Sequence, residues 1–153
     1  VLAGAGQFGR ADQGIFSYWI HSFREKKSLK YVGFEGSGFQ VRDALHPRDL
    51  VPLLIRQMQE PDKNAPRILN LGGGPENATS LRKLSAWCEE RFGPNEVSAT
   101  PEERPFDAPW IVMDSSLANR TWGWLPETSL AGILEEIAVH AEKNPHWLSS
   151  CIS

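Results

Sequence analysis

Gly36-Ser37-Gly38-Phe39-Gln40-Val41-Arg42-Asp43-Ala44-Leu45-His46-Pro47-Arg48-Asp49-Leu50 puts two glycines ahead of a short apolar run that carries an arginine. The glycines accept backbone angles that other residues avoid and let a ligand approach closely, so they read as a turn. Residues 40–45 then read as a strand, with 30–34 as its partner before the turn. Arginine presents five N–H donors in a planar fork that matches phosphate oxygens two at a time, and it stays charged at any working pH. Arg42 held on a strand is therefore a candidate phosphate ligand. The same spacing fits a plain hairpin turn at Ser37-Gly38, with Arg42 pairing on the surface with Asp43 or Asp49. Spacing alone leaves both open.

Working outward, Phe16, Trp19, Ile20 and Phe23 recur at helical spacing, which predicts a helix over 12–27 with Asp12 as its N-cap and one buried face. A second helix is expected over 49–59, with Leu50, Leu53, Leu54 and Met58 on one side. Pro52 is tolerated there because the first-turn N–H groups have no intrahelical acceptor. Residues 68–71 read as a strand that closes on Gly72-Gly73-Gly74, followed by a helix from about 80 to the stop at Gly93-Pro94. From Glu96 to Pro109 the chain is proline-rich and reads as irregular. A strand over 110–113 and a short helix capped by Asp114 and ending near Gly123 follow. The spacing of Leu130, Ile133, Leu134, Ile137, Ala138 and Ala141 predicts a helix over 129–143, stopped by Pro145, with a mobile tail after it. Residues 1–4 read as the end of a strand, parallel to 68–71.

A chain of 153 residues with 41% apolar and 23% charged residues fits one globular core. It has no apolar run of about 18 residues to suggest a membrane span. A net charge of -3 with both signs interspersed disfavours a nucleic-acid surface. Cys88 and Cys151 make neither a zinc spacing nor a disulfide framework, which fits a reducing, cytoplasmic setting. The first residues have no basic segment and only a stub of apolar sequence, so they do not read as a signal peptide. Neither G-x-S-x-G nor H-E-x-x-H occurs, and His140 and His146, six apart, fall on different helix faces. Metal binding is not expected. Gly72-Gly73-Gly74 lacks the spacing of a phosphate cradle and reads as a structural turn. His46 lies close enough to face the Arg42 pocket, although a buried, hydrogen-bonded structural histidine is the more frequent outcome.

The run from Gly36 to Leu50 resembles the G-x-G-x-Q-V-R-D-x-L-H-x-x-D-L segment of the extended short-chain dehydrogenase/reductases, NAD-dependent epimerases and dehydratases of nucleotide sugars. Gly6-Gln7-Phe8-Gly9 with Asp12-Gln13-Gly14, and Leu69 to Gly74, are similar to further segments of that family. Arg104, Asp107, Asp114, Ala118 and Gly123-Trp124-Leu125-Pro126 are similar to its R-x-x-D, D-x-x-K-A and L-G-W-x-P. The matches run in the family's order across nearly the whole chain and most resemble its CDP-tyvelose epimerase branch.

The resemblance implies an α/β fold. Residues 1–153 would be a C-terminal substrate-binding region with the last strands of a Rossmann-type doubly wound parallel sheet, the 30–45 hairpin forming a small lobe. It further implies that Arg42 grips the substrate pyrophosphate and Arg104 meets it from the opposite side. Gln7, Gln13, Gln40 and Asp107 would be nearby substrate contacts. NAD belongs to the intact enzyme. Neither the G-x-x-G-x-x-G cofactor loop nor the catalytic Tyr-x-x-x-Lys occurs in these residues, so no bound cofactor and no turnover by this chain alone are expected. The implied partner is a nucleotide-diphosphate sugar, with self-association through an open sheet edge. Pro109 stands where the family commonly has arginine and Leu117 where it has lysine. The other reading is a stand-alone carbohydrate- or protein-binding module that uses its six tryptophans for stacking.

Overall fold

A computed structural model describes residues 1–100, 102 and 107–151. Its core forms where α1 (Ile15–Arg24) lays Phe16, Trp19, Ile20 and Phe23 against two later helices. α1 starts later than the sequence predicts and is not capped by Asp12, which pairs with Arg10 at 3.0 Å. The N-cap is Gly14 at φ 74°, a left-handed conformation that glycine adopts without strain. It sits so close to the Phe8 carbonyl that a Cβ there would overlap it. Steric fit, not side-chain capping, sets this helix start.

After α1 come β1 (Leu29–Tyr31) and β2 (Val41–Asp43), and they do not form the expected hairpin. Gly33, Gly36 and Gly38, with Phe34 and Glu35, all take positive φ between the two strands. That run carries the chain away from a tight reversal, and each strand finds its partner from far along the sequence. β1 pairs in parallel with β4 (Val97–Ala99), inside the stretch read as irregular. β2 pairs antiparallel with β3 (Ala78–Ser80) and in parallel with β5 (Trp110–Ile111). Residues 1–4 also differ from expectation. Their partner is Leu45, through Ala3 N–H to the Leu45 carbonyl at 3.0 Å and Leu45 N–H to the Val1 carbonyl at 2.8 Å. Residues 68–71 make no ladder: Ile68 is exposed, while Leu69 and Leu71 pack on the second core described below. A four-residue apolar run does not by itself distinguish a strand from an extended anchor. The result is an α/β fold with parallel pairing.

α2 (Val51–Gln59) follows a single 3-10 turn, with Pro52 in its first turn as expected. Of its predicted apolar side only Leu53 is buried, while Leu54 and Met58 are 52% and 81% exposed. Leu53 joins Leu45, Ala118, Trp122 and Trp124 in a second, smaller core. The Trp124 indole N–H donates to the Asp49 carbonyl at 2.7 Å, and the Asp49 carboxylate accepts from the Thr128 amide at 3.0 Å and its hydroxyl at 2.7 Å. Asp49 thus locks the Gly-Trp-Leu-Pro segment onto the start of α2, which excludes it as the surface partner of Arg42.

α3 (Leu81–Phe92) is capped by Ser80, whose hydroxyl accepts the Lys83 amide, and ends at Gly93 with φ 81°. The short α4 (Ser116–Trp122) begins where the Asp114 carboxylate accepts the Ser116 amide at 2.8 Å. α5 (Leu130–Lys143) is capped by Ser129 and buries the predicted stripe, with Leu130 at its margin. The tail is a correction. After Pro145 the chain forms α6 (Trp147–Ser150), whose Leu148 is buried and whose Trp147 indole donates to the Gln7 carbonyl at 2.9 Å.

α1 and α5 meet at His21, which is wholly buried, with its Nε2 3.4 Å from Nδ1 of His140. Burial, and then the neighbouring His140, pull the His21 imidazole down to about 4 from the ordinary 6.5, and burial also lowers His140. Glu25 opposes the shift, while Arg24 and Lys27 add to it. The unfolded chain therefore takes up a proton that the folded chain refuses between those two values. Stability is complete above about 6.5 and falls as pH drops toward 4, by about 3 kcal/mol from His21. Urea unfolding across this range is expected to show that decline, and equal midpoints at both ends would contradict it.

Candidate active-site cavity

β1 buries Leu29 and Tyr31 and turns Lys30 the other way, and Val32 follows on that side. β2 presents Arg42, and Gln40 two residues earlier faces the same way. With the loop before α1, its first turns, and the β3–α3 junction, these walls enclose a cavity of about 530 Å³. Ile15, Trp19, Leu81 and Leu84 line its apolar part, and Gln13, Gln40, Arg42, Thr79 and Asp107 its polar part.

Arg42 is held from three sides. Its Nη1 donates to the Val41 carbonyl at 2.7 Å and the Ala108 carbonyl at 2.9 Å, and its Nη2 to Asp107 Oδ1 at 2.8 Å. Arginine has five N–H groups, so two remain for a ligand among the described residues. Neither Asp43 nor Asp49 is its partner. Asp43 accepts the Gly74 amide at 3.0 Å and the Met113 amide at 3.4 Å inside the sheet. Gln40 is nearly buried, and its Nε2 donates to the Val32 carbonyl at 2.9 Å and approaches Asp107 Oδ2 at 3.5 Å. This orients the amide and ties the β1 wall to the β2 wall.

The cavity thus brings together Arg42, Gln40, Gln13 and Asp107, four of the residues singled out from the sequence. Gln7 is not among its lining. Its Nε2 donates to the Leu2 carbonyl at 2.8 Å, and its own carbonyl takes the Ser17 hydroxyl and the Trp147 indole, so it fastens the N-terminal loop to α1 and α6. Arg104 lies outside the described residues. His46 is the buried structural histidine anticipated as the more frequent outcome: Nδ1 accepts the Arg48 amide and Nε2 lies 3.0 Å from Glu136, away from the cavity. Ser28, Lys30, Thr79 and Ser80 line the cavity without having been picked out. For Lys30 the alternation of 29–32 was a usable signal; for Thr79 the signal was masked, because Thr-Ser before an apolar run reads as a helix cap.

These groups can donate and accept hydrogen bonds. Cys88 is buried, which pushes its thiol up to about 12 and leaves it protonated. Among the described residues no group of three or more His, Cys, Asp and Glu side chains is placed to hold a metal ion. Gly72-Gly73-Gly74 is a packing turn. The Gly72 amide donates to Ser115 Oγ at 3.0 Å and the Gly74 amide to Asp43, and a Cβ at Gly73 would overlap the Ala44 carbonyl. Two of its three amides are spent within the protein, so it does not make the cradle a dinucleotide phosphate needs. Trp19, Trp122 and Trp124 are buried in the cores, which removes them as an exposed stacking platform.

Residues 1–72 match the NAD dependent epimerase/dehydratase family. CDP-paratose 2-epimerase from Salmonella typhi is 27% identical over 130 residues, covering 84% of this chain and 38% of the relative. The structure of UDP-glucuronic acid 4-epimerase from Bacillus cereus, in complex with UDP-glucuronic acid and NAD, superposes with a TM-score of 0.76 at 21% identity. The match covers 94% of this chain and 43% of that one. dTDP-glucose 4,6-dehydratase from Bacillus anthracis, in complex with NAD, gives a TM-score of 0.77 at 17% identity over 99% of this chain and 45% of that one. The chain spans about two-fifths of the length of these relatives. No helix among the described residues is long and apolar enough to cross a membrane. In sequence over residues 1–72 this chain is similar to the NAD dependent epimerase/dehydratase family, and it shares the fold of the solved epimerases and dehydratases.

Proposed function

We propose that residues 1–153 are the nucleotide-diphosphate-sugar-binding region of an NAD-dependent sugar epimerase or dehydratase, and that the cavity at Arg42 takes the substrate diphosphate. The observation that carries this reading is the Arg42 fork. It is clamped by Asp107 and two carbonyls, lies at a cavity wall, and has two N–H groups without a partner among the described residues, which we assign to phosphate oxygens. Fixing the fork in advance lowers the ordering cost of binding. Arg104, three residues before Asp107, is proposed as the cation that meets the diphosphate from the other side. Gln40 and Gln13 are proposed contacts to the nucleoside or sugar. Gln7 acts through the loop it fastens.

NAD is bound in the structures of the B. cereus epimerase and the B. anthracis dehydratase. The described residues of this chain provide no phosphate-cradling glycine loop for it. The redox part of the reaction is therefore assigned outside residues 1–153, and this chain alone is expected to turn over no nucleotide sugar. Calorimetric titration with CDP, UDP, dTDP and GDP, and with free hexoses, tests the reading. At least one diphosphate is expected to bind while free sugars do not. Binding of free sugar without any diphosphate response would support the carbohydrate-module reading instead.

A further inference from the structure

We infer that Lys30 is a further anion-binding residue of this cavity, beside Arg42 and the proposed Arg104, and adds positive charge where the Arg42–Asp107 pair is nearly neutral; the inference rests on the diphosphate reading above. Among the described residues four charged side chains line the cavity: Asp12, Lys30, Arg42 and Asp107. Asp12 is paired with Arg10 at 3.0 Å, and Arg42 with Asp107 at 2.8 Å. The Arg42–Asp107 pair sums to nearly zero charge, so alone it offers a diphosphate shaped donors but little net attraction. Among the described residues the Lys30 ammonium has neither an ion pair nor a hydrogen bond.

The fold places this lysine deliberately enough to matter. Its neighbours Leu29 and Tyr31 are buried at 1% and 6% exposure, so the alternation of the strand forces Lys30 to the opposite side, where the cavity lies. Val32, next on that side, is bonded through its carbonyl to Gln40, which fixes the Lys30 wall against the strand that carries Arg42. A lysine is a mobile point charge on a long stem, and it complements a fixed guanidinium by following the phosphate it meets. The ligand class is an organic diphosphate.

Lys30→Met tests this without touching the core, and far-UV circular dichroism checks that the fold is kept. Calorimetry compares the chain and the variant against UDP, CDP, inorganic pyrophosphate and the free nucleosides, at low and at physiological salt. The variant is expected to lose about tenfold in affinity for the diphosphates and for pyrophosphate, as for one charged hydrogen bond. It should also lose part of their salt dependence. Binding of free nucleosides should not change, and Lys30→Arg should hold the diphosphate affinity. An unchanged diphosphate affinity and salt slope in Lys30→Met would overturn the inference while leaving the diphosphate reading intact, as would a loss shared equally by nucleosides. A wild-type chain that binds no diphosphate would overturn the reading beneath it.

Discussion

Trp19→Ala is expected to destabilise the chain by about 3–5 kcal/mol, the usual cost of truncating a buried large aromatic. The total stability of a domain this size is about 5–15 kcal/mol, so the variant should be near the edge of folding. The ring is 2% exposed in the main core and stacks on Tyr31 with centroids 5.5 Å apart. Its indole N–H and the Tyr31 hydroxyl both donate to Ser85 Oγ, at 2.8 and 2.6 Å. Truncation therefore opens a void and removes one of two donors that join α1, β1 and α3. Because Trp19 also lines the cavity, the damage should reach the site: nucleotide affinity and urea midpoint are expected to fall together. Trp19→Phe keeps most of the volume and should cost less. A loss below about 1 kcal/mol for Trp19→Ala would show that the α1 interface is not what holds the core.

The helices were legible in the sequence because their signals are local. Ser129 and Ser80 cap α5 and α3, Gly93 and Gly123 stop α3 and α4, and the apolar stripe of α5 is buried as its spacing requires. Strand pairing was not legible, since a three-residue strand carries almost no pattern and its partner is chosen by the packing of the whole chain. Val97–Ala99 finds Leu29–Tyr31 from nearly seventy residues away, and nothing in the proline-rich stretch that contains it announces it. The same limit shaped the site. Arg42 could be singled out as a candidate phosphate ligand because its glycine turn and strand are adjacent in sequence. Its clamp on Asp107 and Ala108 depends on β5 pairing beside β2, a long-range event. The apolar face of α2 was read as buried from periodicity alone, yet Leu54 and Met58 face outward. A stripe shows which residues share a side and not what, among the described residues, covers it.

The affinity of Arg42→Ala for nucleoside diphosphates tests the central claim most directly. Each hydrogen bond to a charged group contributes about 1.5–3 kcal/mol, so losing even one should weaken binding at least tenfold. The Asp107 carboxylate would also lose its partner at 2.8 Å and face the phosphates uncompensated, which adds repulsion. Arg42→Ala with Asp107→Asn should accordingly recover part of the loss, a response that general unfolding would not give. Calorimetry on the folded variants is predicted to show wild type binding its diphosphate, Arg42→Ala weaker by tenfold or more, and the double variant between them. Equal affinity of wild type and Arg42→Ala would contradict the assignment of this cavity as a diphosphate site.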